Sequence, residues 1–553
     1  MKRLLSLLIF LTLTVSSTAQ EYAWFYVQTK DTLTRVEFER KDSLLHYHGN
    51  NVALQRIFKN YKIYEFKNTA RNVKRSEYKR TYFVVANSEY LLEELLSLEN
   101  SPFVSGRRIS EEEKKIYEPN DYGITSTIGA NIGEPVYLDY FDVLEVPRAW
   151  YYTTGNRSTI IGISDGSVDT TDLEFKGKTK VIRKSHLADG HGISVSATAA
   201  AQGDNGYGFT GICFNCSIYG TSYGSFKELE PLVELSNMGA SVINCSWGIA
   251  RSYDTAQQAI NKMAEKGTVI VAIAHNKKWV KTTNKGEYFY YPASYDKVIS
   301  VATVMHRYKN PLDNILISKS GKPYAANIRV YLGRTLGFKN NDTLDKPYIY
   351  PISLRTLNPA VDILGPGVGL LQYGKYLVNN KINYSQFGAT SGIAPLVTGT
   401  VGLMKTLKPC ISVDEVDAII KLTATNIDDI EANKPYYGYY GAGMLNTGRA
   451  VELVYKLETP TETAFIENQK FKRWNFPIQA LSKKVVIQNQ IFEEDAVLNL
   501  TAKNQIIIGR NTILKPGYNG KINLKIDSSL QPSCALQLRE GFPNNKYYYP
   551  DND

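Results

Sequence analysis

One stretch constrains this chain more than any other: residues 392–407, an apolar run with hardly a polar interruption, headed by Ser391 within FGATSGIAPLVTG (residues 387–399). Being apolar on nearly every face, it predicts a helix buried in a large core. A serine at the start of such a helix has unpaired backbone N–H groups beside it and the positive end of the helix dipole beneath it. That is where an attacking oxygen would want an anion stabilised. Taken alone, the same serine reads more simply as an N-cap on a core helix. Pro395, read as a first-turn proline, forfeits no helical hydrogen bond.

At 553 residues the chain is too long for one core, and a prior of about 150 residues per domain predicts three or four units. Residues 1–19 carry Lys2 and Arg3, an apolar stretch from 4 to 15, and small residues at Ser17 and Ala19. This is the pattern of a secretory signal peptide, too short for a stable membrane anchor. No later apolar run is long enough for a membrane helix, so the expectation is a mature protein acting outside the cytoplasm. The 64 basic and 54 acidic residues give a net charge of +10. No Lys/Arg block is dense enough to argue for nucleic acid. Five cysteines are too few for a disulfide scaffold. Cys213 and Cys216 form a C-x-x-C that is either a short-loop disulfide or two free thiols, without a second pair to make a zinc site. The 39 tyrosines cluster at 288–295, 436–440 and 547–549; they read as half-buried packing and strand residues rather than a sugar platform.

In chain order, residues 20–106 form a small α+β pattern. Strands at 23–27 and 82–86 alternate with a helix at 89–98, whose Leu91, Leu92, Leu95 and Leu96 make an apolar stripe. The charged segment 107–118 reads as an exposed linker and a site for proteolytic nicking. From Pro119 strands and helices alternate, which implies a parallel sheet with helices on both faces. TIIGIS (159–164) is a buried strand ending on Asp165, and the chemistry of such sheets gathers at strand carboxyl ends. DGHGISVSATAAAQG (189–203) sets His191 between two glycines at the head of an Ala-rich helix. Strands follow at 241–248 (SVINCSWG) and 268–274 (TVIVAIA), the second leading into His275-Asn276. An Asn amide there can donate into a cleft, as a developing oxyanion requires. Each residue singly has a bland reading: a strand-end turn, a capping His, a turn-closing Asn. Together, Asp165, His191, Asn276 and Ser391 fall at element ends of one α/β domain, in the Asp…His…Ser order of the subtilisin triad.

The region resembles the subtilisin-family serine proteases, the subtilases. The family's Asp motif is matched by IGISDGSVD and its His motif by GHGISVSATAAAQGDNGYGFTGI. YPASYDKVISVATV (291–304) resembles the strand after the oxyanion Asn, ATSGIAPLVTG the Ser motif, and YYGYYGAGMLNTGRAV (436–451) the terminal segment. The match spans roughly residues 119–457. It implies Ser391 as nucleophile, His191 as base, Asp165 as its orienter and Asn276 as oxyanion donor. It also implies that Ser246, Trp247 and Gly248, with Tyr223-Gly224-Ser225, flank an extended substrate. No cofactor is required; calcium supports many family members, but no ligand cluster is legible, and no metal ligand is assigned.

Four departures stand out. Gly166-Ser167 reverses the usual order after the Asp, Ser194 stands where a second His is common, and Ala389 and Gly392 flank the Ser motif unusually. His275-Asn276-Lys277 replaces small residues, so His275 is expected to encroach on the primary specificity pocket, with Trp247 on its wall. Residues 305–359 read as a surface insertion carrying partner or substrate selection. By position and pattern, residues 20–118 resemble the family's inhibitory propeptide and linker, with a permanent adaptor as the competing reading.

After a Thr/Pro/Glu linker at 458–464, residues 485–526 show short, closely spaced strand-like segments, a small all-β or β-solenoid-like unit. They resemble short repeats appended to secreted bacterial proteins, and residues 544–553 read as a loose tail. The expectation is an α/β, subtilisin-like fold with a small α+β domain before it and a small all-β domain after it. Its expected function is that of a secreted serine endopeptidase made as a zymogen, acting on peptides or proteins, with its own propeptide as intramolecular inhibitor and with neither nucleic acid nor a transmembrane segment. It is expected to be secreted, or retained at the bacterial cell surface through the C-terminal module. The rival is a catalytically inactive subtilase-like surface binding protein.

Overall fold

The structure is a computed structural model. It describes residues 22–31, 36–68, 80–122, 138–187, 190–208, 210–277, 288–306, 355–368 and 389–546, with residue 34 and shorter stretches between 315 and 387. The signal-like residues 1–19 and the last tyrosine cluster lie outside the described residues. Two compact units divide the chain between Lys114 and Lys115, the second running Lys115–Tyr548.

In the first unit six antiparallel strands lie in the order Phe38–Lys41, Leu44–Tyr47, Ile63–Asn68, Thr81–Ala86, Ala23–Thr29, Phe103–Arg108. Phe25, Val27 and Thr29 alternate inward along their strand, as the period of two requires. Phe25, Val27 and Val84 share one core with Leu54 and Phe58 of the helix Val52–Lys59 and Leu91, Leu92 and Leu95 of the helix Tyr90–Ser97. Leu96, expected in that stripe, is exposed. At about 100° per residue it lies beyond the arc that 91, 92 and 95 define.

The expected linker is largely ordered. Arg107 and Arg108 belong to the edge strand Phe103–Arg108, where charge protects an open edge. Arg107 pairs with Glu113 (2.8 Å) of the short helix Glu111–Lys114. Residues beyond Lys115 are tied into the second unit: Glu118 N–H donates to Lys546 O (2.9 Å), and Lys546 N–H to Ile116 O (3.0 Å). Asn120 N–H donates to Asp204 Oδ1 (2.9 Å). The part of the expected loose tail that is described, 544–546, is therefore pinned by backbone pairing.

The second unit is built on seven parallel strands: β1 Ile160–Ser164, β2 Thr179–Val181, β3 Ser217–Thr221, β4 Ala240–Cys245, β5 Val269–Ile273, β6 Val298–Val304 and β7 Ile363–Pro366. They lie in the order β7-β6-β5-β4-β1-β3-β2. Alternate residues of the central strands serve two cores. Val242, Val269 and Val271 pack with α1 (His191–Ala200) and α4 (Thr390–Leu407). Ile243, Cys245, Ile270 and Ala272 pack with α2 (Glu230–Asn237) and α3 (Asp254–Glu265). A sheet buried on both faces explains why its strands read as continuous apolar runs. The strand order reverses between β1 and β4, and a crevice opens at the carboxyl ends of strands at such a switch point.

Part of the expected insertion forms antiparallel hairpins, Ile315–Ile317 with Pro323–Ala325 and Arg334–Phe338 with Pro347–Tyr350. It is not wholly superficial: Ile328, Leu332, Thr356 and Asn358 are buried. After helices α5 (Val413–Leu422) and α6 (Thr447–Glu458), nine strands make three parallel three-stranded sheets. On one face Thr463 pairs with Lys484, an offset of 484−463=21 residues, and the three coils close into a β-solenoid around Phe471, Phe476 and Phe492.

Its first coil begins at Thr463, inside the expected linker, because only the turn at 459–462 separates it from α6. Nor is it a tethered accessory. Gln469 Nε2 donates to Ala424 O (2.6 Å), Arg473 Nη1 to Pro359 O, and the disulfide Cys410–Cys534 joins the chain after the solenoid to the turn before α5. Cys213 and Cys216 are bonded to each other, and Cys245 is a buried free thiol.

Candidate active site

β1 delivers Asp165 to the switch point. Asp165 is 4% exposed, and its Oδ1 accepts from Gly166 N–H (2.6 Å) and lies 2.7 Å from His191 Nδ1. The approach depends on Gly192. A Cβ there would lie 2.6 Å from Gly166 O and 2.7 Å from Ser167 O, so only glycine lets the first turn of α1 close over the Asp165 loop. With Nδ1–H donating to the carboxylate, Nε2 is the basic nitrogen of the ring.

All of α4 is buried. Ala389, at φ 65°, precedes it, so Ser391 is the second helical residue and not its N-cap, and its hydroxyl is free of capping duty. Pro395 is correspondingly the sixth residue of the helix, beyond the first turn. Its missing N–H would have met Ser391 O. That carbonyl accepts instead from Ser246 Oγ (3.1 Å), itself held by Asn244 Nδ2 (2.9 Å), whose Oδ1 accepts from Thr398 Oγ1 (3.2 Å). The end of β4 thereby fixes the first turn of α4. Further along, a Cβ on Gly399 would lie 2.9 Å from Ala199 O, which is how the helices carrying His191 and Ser391 come together.

Beyond β5, Asn276 Oδ1 accepts from both Thr390 N–H (3.0 Å) and Thr390 Oγ1 (2.7 Å). Its oxygen being committed, the amide Nδ2 is the group left to donate beside Ser391. The loop is held from the end of the expected insertion: Arg355 Nη1 donates to Asn276 O and Thr356 Oγ1 to Lys277 O, both at 3.1 Å. Sequence reading singled out none of Thr390, Arg355 or Thr356; a hydroxyl directly before Ser391 was the available signal for the first. His275, at φ 91°, stacks flat on Tyr290, with centroids 3.9 Å apart and 5° between planes. Burial first, and Lys277 second, lower its pKa below the ordinary 6.5.

Of the expected substrate-flanking residues, Ser246 turns its hydroxyl inward, as above. Trp247 donates from Nε1 to Ser164 Oγ (3.1 Å) and lies by Tyr223 (6.1 Å) and Phe226 (5.4 Å). The residue that stands against Gly248 is Tyr290: a Cβ on Gly248 would lie 3.5 Å from Tyr290 Cβ. Tyr223 is 40% exposed, and Gly224, at φ 138°, has open space beside it among the described residues. Among the described residues no group of three or more His, Cys, Asp or Glu is placed to hold a metal ion.

A buried Asp–His pair of this kind is also found in hydrolases that work through an activated serine. The chain belongs to the subtilase family, whose model matches residues 156–443. It is 26% identical over 304 residues to subtilisin DY of Bacillus licheniformis, covering 53% of this chain and 90% of that one. With the calcium-dependent protease of Trichormus variabilis it shares 26% identity over 393 residues, 63% of this chain but only 54% of that protein. The thermostable alkaline protease of Halalkalibacterium halodurans is 22% identical over 400 residues, covering 68% and 93%. Among solved structures, the prenylagaramide maturation protease PagA has 20% identity and a TM-score of 0.40, covering 56% of this chain and 98% of that one.

Proposed function

We propose that the chain is a secreted serine endopeptidase, made as a zymogen, that hydrolyses peptide bonds through an acyl-enzyme. The observation that carries this reading is the 2.7 Å contact of His191 Nδ1 with the buried Asp165 carboxylate, at the head of a helix that packs in one core with the helix whose second residue is Ser391. Ser391 Oγ attacks the scissile carbonyl while His191 Nε2 takes its proton and returns it to the leaving amine. Asp165 holds the ring's tautomer and stabilises the imidazolium. Asn276 Nδ2 and the Ser391 N–H receive the oxyanion; water then cleaves the acyl ester by the same route. An extended substrate lies along the backbone of 246–248, with Tyr223 and Gly224 on its other side. Each proton and charge is handled by a named side chain, so the reaction itself calls for no metal or organic cofactor, and calcium is assigned no step.

The antiparallel unit ending at Lys114 is proposed as the inhibitory propeptide, with activating cleavage within 106–118. The signal-like residues 1–19 and two disulfides, which persist in oxidising compartments, support export. No helix among the described residues is long and apolar enough to cross a membrane. Retention at the cell surface through the solenoid is the alternative destination, separable by cell fractionation. Hydrolysis of denatured casein by the purified protein, lost in Ser391→Ala, tests the proposal. A folded, processed protein without such activity would favour the inactive binding protein.

A further inference from the structure

If Ser391 is the nucleophile, the positions already described locate the side chain of the residue it attacks. The substrate carbonyl oxygen lies at Asn276 Nδ2 and the substrate backbone runs along 246–248. The attacked residue's side chain must then project between Gly248 and the Asn276 loop. Two residues with stacked rings border that space. Tyr290 backs onto Gly248, whose added Cβ would be in van der Waals contact, 3.5 Å, with Tyr290 Cβ. His275, the neighbour of Asn276, lies on Tyr290 with centroids 3.9 Å apart and planes 5° from parallel.

The pair is fixed in place. Tyr290 is 8% exposed, and its strand-side neighbour Tyr291 pairs with Ile249 through reciprocal backbone hydrogen bonds of 2.9 and 2.8 Å. His275 adopts φ 91°, a conformation costly for any residue but glycine, which a structure keeps only when its surroundings impose it. Its Nδ1 is buried with no hydrogen-bond partner among the described residues, so stacking is what holds the ring on that side. Lys277 lies over Tyr288 (4.0 Å), and the carbonyls of Asn276 and Lys277 are pinned by Arg355 and Thr356, which leaves the loop little freedom to swing the imidazole away.

We propose that the stacked rings of His275 and Tyr290 fill the space for the side chain on the acyl side of the scissile bond and restrict that residue to glycine, alanine or serine. The inference rests on the serine-peptidase reading and adds a substrate class to it. A large aromatic side chain would have to break the stack, so discrimination comes from exclusion built into the enzyme.

The test uses the purified full chain, before and after limited proteolysis, with tetrapeptide 4-nitroanilides differing only in alanine or phenylalanine before the scissile bond. A small fluorophosphonate probe titrates the active serine in each preparation. The expected result is kcat/KM at least about tenfold higher for alanine, with Tyr290→Gly shifting the ratio about 10- to 100-fold toward phenylalanine. If Tyr290→Gly does not fold, His275→Gly carries the same expectation, since its φ suits glycine. Phenylalanine cleaved as well as alanine by a labelled wild-type protein overturns the inference and leaves the peptidase reading intact. So does an unmoved ratio in a labelled variant. No labelling of any folded, processed preparation overturns the peptidase reading, and this inference with it.

Discussion

Ser246 Oγ donates to the main-chain carbonyl of Ser391 across 3.1 Å, in place of the N–H that Pro395 lacks. The bond does two things at once. It satisfies a buried carbonyl, and it ties the turn carrying the proposed nucleophile to the end of β4, along which the substrate is proposed to lie. Ser246→Ala leaves that carbonyl unpaired, at a cost of about 1–3 kcal/mol. Urea unfolding should show the loss in midpoint, and kcat should fall about tenfold with KM little changed. An unchanged kcat would mean that the turn keeps its place without Ser246.

Thr390 gives both its N–H and its hydroxyl to Asn276 Oδ1. Asn276→Ala should lower kcat by about 10²–10³, the usual cost of an oxyanion donor. Thr390→Val keeps one of the two bonds to the amide oxygen, so its kcat should fall by less, about three- to tenfold. Because Thr390 acts only through Asn276, the losses should not add: in the Asn276→Ala background Thr390→Val should cost almost nothing. Additive losses would assign Thr390 a separate role.

His275 makes stability depend on pH in a predictable direction. Its pKa in the folded state lies below the ordinary 6.5, burial being the larger cause and Lys277 the smaller. As pH falls through 6.5 the unfolded chain takes up a proton that the folded protein resists. The neutral ring's contribution is thus fully present above 6.5 and is lost toward the lower folded value. Unfolding free energies of wild type and His275→Phe, measured from pH 7.5 to 5, should differ by a constant above 6.5 and diverge against the wild type below it. A constant difference across the whole range would contradict this.

The disulfide Cys410–Cys534 closes a loop of sequence separation 124. Loop-closure entropy alone gives such a crosslink about 4–5 kcal/mol, commonly less in practice. Cys410→Ser with Cys534→Ser should lower Tm in differential scanning calorimetry. Because the solenoid and the catalytic sheet share one compact unit, both should still unfold together; separate transitions would make the solenoid an independent module.

The sheet and its chemical positions were legible in the sequence for a physical reason. Strands buried on both faces, such as Val269–Ile273, leave unbroken apolar runs, and Asp165, Asn276 and His191 stand where such runs or a glycine-bounded helix stop and start. What holds those residues was not legible. Thr390 and Asn276 are 114 positions apart, Ser246 and Ser391 145, and no local pattern marks either pair. Pro395 reads as a first-turn residue only if Ser391 is the N-cap; the structure caps the helix at Ala389, two residues earlier. Within 107–118 the boundary between the two units does fall, at Lys114/Lys115, while Arg107 and Arg108 belong to a strand because an edge strand wears the same charges as a loop. Cys410 and Cys534 lack any spacing signature, and the stack of His275 on Tyr290 needed the fold to bring two loops together.

The central claim is that Ser391 is an activated nucleophile. Labelling of the processed protein with a fluorophosphonate probe, followed by peptide mapping of the adduct, tests it directly. The account predicts one adduct, on Ser391, absent in Ser391→Ala and greatly slowed in Asp165→Asn, whose amide cannot hold the His191 tautomer. A folded, processed protein that gives no adduct, or gives it on another residue, would contradict the account.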